Sequence, residues 1–286
     1  MSVVVVGCGD VGQRLAARYR AIGQPVTGIV RTAESAAALA PAGVQALTLD
    51  LDREAPPAGL LDGAVVHYHA PPPREGTREP RLQRLLTGAR SAPPARLVYI
   101  STSAVYGDCQ GRWIDETAPL TPRTDRGRRR LDAEHQLAAF AEATGAEVVV
   151  LRVPGIYGPG RLPVARLQAG TPLVLPAQCP PTNRIHADDL AGACLAAAQH
   201  GRAGRAYNVS DGNPTSMTDY FLQVADLLGL PRPPLVTLAE ARQHLSPMLM
   251  SFLEESKRLD NTRLREELGL LLRYPTLADG LPSCLL

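Results

Sequence analysis

The stretch Val3-Val-Val-Val-Gly-Cys-Gly-Asp-Val-Gly12 decides the fold. Val3 to Val6 read as a short strand apolar on both faces, the pattern of a central strand in a parallel sheet. Gly7, Gly9 and Gly12 then match G-x-G-x-x-G. The first glycine serves a tight turn, the second a close backbone approach to a pyrophosphate, the third close packing of helix on strand. Val11, Leu15, Tyr19 and Ile22 share one face of the helix that follows, and Gly23 stops it. Strand, glycine turn and amphipathic helix in that order predict a dinucleotide-binding turn lined by Gly7, Cys8, Gly9, Asp10, Val11 and Gly12.

Working outward, strand-like and helix-like segments alternate. Strands are expected at 25–30, 44–49, 64–69, 96–101 and 147–153, with helices at 81–89 and 128–143 among those between them. This alternation predicts an α/β Rossmann-type fold, a doubly wound parallel sheet with its ligand at the carboxyl ends of the strands. Prolines are dense from Pro154 to Pro181, the tail from Thr215 is mainly helical, and 206–209 reads as one more strand returning to the sheet. Residues 1–155, rejoined by 185–210, are therefore expected to form the dinucleotide-binding domain. Residues 156–184 and 211–286 are expected to form a smaller helical lobe over the strand ends, where a substrate pocket belongs.

Composition narrows the partners. The 286 residues carry 30 Lys and Arg against 28 Asp and Glu, a net charge of +2, so no global field points to nucleic acid or membrane. The one basic cluster, 126–130, reads as a solvated helix start. No stretch approaches the roughly 20 apolar residues of a membrane span, and no secretory leader is expected before the first strand. Five scattered cysteines without C-x-x-C point to a reducing, cytoplasmic setting and away from structural zinc. His67 and His69 share a strand face as a metal pair would, but no third ligand lies at useful spacing, and no metal is expected. Arginine nearly replaces lysine: Lys257 is the only lysine in the chain.

The end of the second strand selects the dinucleotide. An acid there would hydrogen-bond ribose hydroxyls, whereas this chain has Arg31-Thr32, a guanidinium and a hydroxyl suited to a 2′-phosphate. NADP(H) is expected over NAD(H), the alternative being that Arg31 merely coats the surface. Asp50, closing the third strand, is placed either to meet the adenine or simply to form a turn. Ala70 and Pro71 close the fourth strand, where backbone would line the dinucleotide.

From Val98-Tyr-Ile-Ser-Thr-Ser-Ala-Val-Tyr-Gly107 onward the chain resembles the extended short-chain dehydrogenase/reductases, the NAD(P)-dependent epimerase/dehydratase family. Leu151-Arg-Val-Pro-Gly-Ile-Tyr-Gly-Pro-Gly160, Asn183-Arg-Ile-His-Ala-Asp-Asp189 and Tyr207-Asn-Val-Ser210 follow as further landmarks in order. The glycine loop departs from the family's usual G-x-x-G-x-x-G and marks an atypical subgroup. The resemblance implies that Thr102 holds the reacting oxygen, that Ser103 stands where dehydratases carry an acid, and that Pro154 lines the cofactor. A strand-end hydrogen-bonding role is the alternative for this seryl cluster.

The family's Tyr-x-x-x-Lys pair is missing. Counting back from Glu134 puts Arg126 in the tyrosine position and Arg130 in the lysine position. Arg130 retains the donors to bind ribose hydroxyls, but a guanidinium has no usable neutral form at pH 7, so Arg126 cannot act as acid or base. No tyrosine has a lysine four residues on, and Lys257 is remote in the chain. Tyr106 and His186 are the candidate substitutes: Tyr106 as a phenol after the active-site strand, although the resemblance implies packing or substrate contact as its alternative, and His186 because it titrates near neutrality, with a structural histidine as its alternative; His69 and Asp108 are weaker ones. Arg126 and Arg130, on one helix face, are alternatively a clamp for a phosphate or carboxylate substrate, to which Arg161 would add at the entrance of the smaller lobe; Tyr157 and His186 are also expected at the substrate.

Two readings follow. One is an NADP(H)-dependent oxidoreductase or epimerase/dehydratase-like enzyme acting on a small polar, sugar- or phosphate-bearing molecule. The other is a catalytically inactive NADP(H)-binding sensor or scaffold. A homodimer through helices near 78–90 and 126–143 is the expected association.

Overall fold

The structure, a computed structural model, describes residues 1–285. Its centre is a seven-stranded sheet of β1 (Val3–Val6), β2 (Val26–Val30), β3 (Gln45–Thr48), β4 (Val65–Tyr68), β5 (Arg96–Thr102), β6 (Glu147–Val153) and β7 (Ala206–Asn208). The spatial order is β3-β2-β1-β4-β5-β6-β7 and every pairing is parallel. The strand order reverses between β1 and β4, which opens a crevice at their carboxyl ends. The doubly wound sheet expected from the alternation is present, and β7 returns to it beside β6.

Alternation along the strands separates two core layers. Val3 and Val5 face α1 (Asp10–Ala21) and α4 (Ala187–His200), where Leu15, Tyr19, Leu190 and Cys194 pack. Val4, Val6, Tyr68 and Tyr99 face the other way, onto α2 (Pro80–Gly88) and α3 (Asp125–Thr144) through Leu82, Leu85, Leu137 and Phe140. The strands are apolar on both faces because helices cover both. β3 is the exception: at the sheet edge, three of its four residues are exposed.

Two smaller clusters build the part over the strand ends. Tyr157, Leu167, Leu277 and Leu281 pack around α5 (Met217–Leu228), whose start is fixed by a capping box between Ser216 and Asp219. Val174, Ala241, Leu245 and Leu253 form the second. The tail is not confined to this region. Leu264 and Leu268 pack into the core layer of α1 and α4, and Arg258–Leu259 pairs in parallel with Trp113–Ile114. Among the described residues no helix is long and apolar enough to cross a membrane.

Candidate functional site

The glycine loop has the shape of a nucleotide cradle. Gly7 has φ +84°, and a Cβ there would lie 2.5 Å from the Ala70 amide nitrogen, so the ends of β1 and β4 meet backbone to backbone. A Cβ at Gly12 would lie 3.0 Å from Val5 Cγ1, which sets how closely α1 seats on β1. At Gly9 a Cβ would meet nothing within 4 Å: this glycine borders open space at the start of α1, and no side chain caps that helix. Uncapped helix amides facing an open cradle fit a pyrophosphate.

Side chains around the loop are more committed than their positions suggest. Cys8 packs under Gly28, and burial pushes its thiol up to about 11, so only its backbone can face a nucleotide. Asp10 bonds Arg14 Nε at 2.8 Å and Arg161 Nε at 2.5 Å; despite partial burial, these cations hold its carboxyl below the usual range. Arg161 thereby links the glycine loop to the cleft described below. Arg31 is exposed beyond β2, while the Thr32 hydroxyl caps the short helix Ala33–Ala37 by accepting from Ser35 N. Asp50 accepts from the Asp52 amide at 3.0 Å, the turn-forming alternative. Pro71 offers its carbonyl to Arg81 at 2.8 Å.

A cleft of about 460 Å³ opens beside the carboxyl end of β5, lined by Thr102, Ser103, Arg126, Pro154, Tyr157, Arg161, Arg184 and Lys257 among others. Thr102 ends β5 and accepts from the Ala104 amide at 3.3 Å, which leaves its own proton to donate. α3 approaches this turn closely because residue 127 is glycine: a Cβ there would lie 2.7 Å from the Ala104 carbonyl. That contact brings Arg126 to the cleft wall. Arg126 stacks over Phe252 at 4.2 Å, Arg166 over Phe221 at 4.5 Å and Arg184 over Tyr220 at 4.2 Å. Burial lowers the pKa of all three, and among the described residues no carboxylate lies within 4.0 Å of any of them. The cleft is therefore rich in positive charge, with Glu255 the one acid among its described lining residues.

Several residues expected at the chemistry lie elsewhere. Tyr106 is buried away from the cleft, donating to Asn208 Oδ1 at 2.7 Å and accepting from Arg152 at 3.0 Å; burial pushes its phenol up to about 12. Both hydrogen bonds of its hydroxyl are thus made within the protein, away from the cleft. His186 caps α4, its Nδ1 accepting from the Asp188 amide at 3.1 Å. Its Nε2 lies 3.1 Å from Ser283 Oγ, which gives its proton to the Gly280 carbonyl, so Nε2 carries the hydrogen and the ring is neutral. Both ring nitrogens are thus engaged within the protein, and it does not line the cleft. Arg130 donates from Nη1 to Tyr99 Oη and to the Ile100 carbonyl, both at 3.0 Å, and is likewise outside the cleft lining. The Tyr157 hydroxyl bonds the Thr276 carbonyl at 3.3 Å while its ring lines the cleft. Asp108 accepts from Gln110 N and Ser256 N in its loop, and His69 is held neutral by burial, down to about 3. Among the described residues no group of three or more His, Cys, Asp or Glu is arranged to hold a metal.

Lys257, remote in the chain, is brought by the fold to the cleft. It is 4% exposed yet lines the same cleft as Thr102 and Arg126. Burial pushes its ammonium below the ordinary lysine value, against the attraction of Glu255. The only sequence signal is its uniqueness in a chain that otherwise uses arginine.

Fold and glycine cradle together are those of a nicotinamide-dinucleotide-binding protein. The model of the NAD dependent epimerase/dehydratase family matches residues 3–210, and the chain belongs to that family. It is 29% identical over 282 residues to Protein YeeZ of Escherichia coli (strain K12), with 96% of each chain covered. A solved structure of a functionally unknown conserved protein from Silicibacter pomeroyi is similar over 99% of this chain and 97% of that one, at 33% identity and a TM-score of 0.86. UDP-glucuronic acid 4-epimerase from Bacillus cereus, solved in complex with NAD, shares the fold at 19% identity and a TM-score of 0.79, covering 99% of this chain and 97% of that one.

Proposed function

We propose that this chain is an NADP(H)-dependent oxidoreductase of the epimerase/dehydratase type that acts on a small polar molecule bearing a phosphate or carboxylate. The observation that carries the substrate class is the ring-stacked trio Arg126, Arg166 and Arg184, guanidiniums without carboxylate partners facing one cleft. Arg184 is buried and the other two are half-buried, and cations so desolvated without a carboxylate in contact are costly unless a ligand pairs them.

Bound NADPH would supply a hydride at the cleft. The chain's own groups do the rest. The amides at the start of α1 hold the pyrophosphate, Thr102 donates a hydrogen bond to the reacting oxygen with Ser103 beside it, and the arginines anchor the anionic end. Arg31 supports NADP(H), since β2 ends in a cation where an NAD site has an acid. Arg130, with its remaining donors, is assigned to the nicotinamide ribose. Turnover of NADPH with phosphate- or carboxylate-bearing aldehydes and ketones, and its loss with neutral analogues, tests the reading; equal rates on both overturn the substrate class.

The second reading, an inactive NADP(H)-binding sensor or scaffold, is favoured by one observation: arginines occupy both positions of the acid/base pair. It predicts NADPH binding with no turnover across the panel. A cytoplasmic location and pairing through α2 and α3 belong to the proposal, the latter checked by sedimentation at micromolar concentration.

A further inference from the structure

Reduction of a carbonyl in this cleft needs a group that gives a proton near neutrality and takes it back. The guanidiniums of Arg126, Arg161, Arg166 and Arg184 remain charged. The Tyr157 hydroxyl is spent on the Thr276 carbonyl, and the Tyr220 phenol is pushed up to about 12 by burial. Glu255 is the countercharge that Arg126 and Lys257 both face. That leaves one amine.

We propose that Lys257 is the catalytic proton-transfer residue of this site, filling the role of the absent tyrosine from a distant segment of the chain. The proposal rests on the hydride-transfer reading above. Three observations carry it. Lys257 shares the cleft with Thr102 and Ser103, and lies close enough to Arg126, the residue in the tyrosine position, to feel its charge. It is buried at 4% exposure, the desolvated setting that brings an amine into the range of general acid/base work. Its backbone is fixed on both sides: Asn183 donates from Nδ2 to the Lys257 carbonyl at 3.0 Å and accepts the Leu259 amide on Oδ1 at 2.8 Å. Ser256 N is held by Asp108 at 3.0 Å. Asn183, the first residue of the third landmark, is thus a positioning residue for the lysine. The charges and titrating groups around the amine are Glu255 on its own segment, Asp108 and Cys109 from the loop after β5, and Arg126 from α3.

The step balances without a further reactant. With bound NADPH as the hydride donor, the substrate carbonyl carbon would gain the hydride and the C–O π pair would move onto oxygen, and that oxygen would take a proton from the Lys257 ammonium while Thr102 hydrogen-bonds it. An N–H bond breaks, an O–H bond forms, and the neutral amine regains its proton from solvent. The reverse step uses the neutral amine as base.

The experiment compares wild type, Lys257→Met and Lys257→Arg on the same NADPH and carbonyl panel. Circular dichroism and NADPH affinity report folding. Both variants are expected to bind NADPH as wild type does and to lose kcat by about 100-fold or more with little change in KM. A Lys257→Arg enzyme at wild-type rate would show that charge alone is needed and would overturn the proposal, as would an active Lys257→Met enzyme. Because the chain has one lysine, reductive methylation with 13C-formaldehyde places a resonance on Lys257, identified by its loss in Lys257→Arg and separate from the N-terminus. The expected amine titrates below the ordinary value of about 10.4; an ordinary titration counts against the role without any turnover. A wild-type protein that turns over nothing in the panel overturns the hydride-transfer reading, and the proton role with it, whereas wild-type turnover that survives Lys257→Met overturns the lysine's role alone.

Discussion

Arg152 and Glu134 form a buried ion pair at 2.9 Å, tying the end of β6 to the middle of α3 next to the Thr102 turn. Around it, Ser101 donates to Glu134, Arg152 reaches the Tyr106 hydroxyl, and Tyr106 donates to Asn208 at the end of β7. Residues from all but one of the family landmarks after the glycine loop thus build one polar network joining β5, β6, β7 and α3. Removing one partner strands a buried charge, so Glu134→Ala should cost about 3–5 kcal/mol in urea unfolding. Tyr106→Phe removes two hydrogen bonds and should cost about 1–3 kcal/mol while leaving the pH profile of turnover unchanged. A shifted profile would return Tyr106 to the chemistry.

Gly9 separates folding from cofactor binding. Its Cβ position is open, whereas that of Gly7 collides with Ala70. Gly9→Ala should fold with nearly wild-type stability and bind NADPH about tenfold or more weakly, since the methyl enters the pyrophosphate cradle. Thermal unfolding and calorimetry on one preparation check both halves. Unchanged affinity would place the dinucleotide elsewhere.

Thr102 is the group assigned to the reacting oxygen. Thr102→Ala should lower kcat by about 100-fold with NADPH affinity intact, and Thr102→Ser should restore most of it. A Thr102→Ala enzyme at wild-type rate would leave this residue only its helix-capping bond to Ala104.

His186 gives the stability a defined pH dependence. Burial holds its ring neutral and below its ordinary pKa of 6.5. Below about pH 6.5 the unfolded chain binds a proton there and the folded chain does not, so stability is present at higher pH and is lost as pH falls. Asn caps helices well and does not titrate. His186→Asn should therefore reduce the loss of stability between about pH 7 and about pH 5 by up to about 1.4 kcal/mol per pH unit. An identical pH slope in both proteins would contradict the cap's neutral histidine.

The sheet was legible because its strands carry runs such as Val3–Val6 and 147–153, which can be buried only between two layers. The glycine loop was legible because each glycine answers a local constraint. What the sequence concealed was non-local. Lys257 enters the cleft through the pairing of 258–259 with 113–114 and the grip of Asn183, contacts between segments far apart in the chain. His186 was readable as a ligand because a histidine before Ala-Asp-Asp is ambiguous until its ring is seen accepting the Asp188 amide. Thr32 and Asp50 have the same character: short polar side chains at strand ends serve their own turns before any ligand.

The dinucleotide assignment, on which the proposed chemistry stands, is tested by parallel calorimetric titration of NADPH and NADH into protein stripped of nucleotide, repeated on Arg31→Asp. NADPH should bind tightly, NADH more weakly by about tenfold or more, and the variant should lose that preference. Equal affinities unaffected by Arg31→Asp would contradict the NADP(H) assignment, and binding of neither nucleotide would contradict a dinucleotide role for the glycine loop altogether.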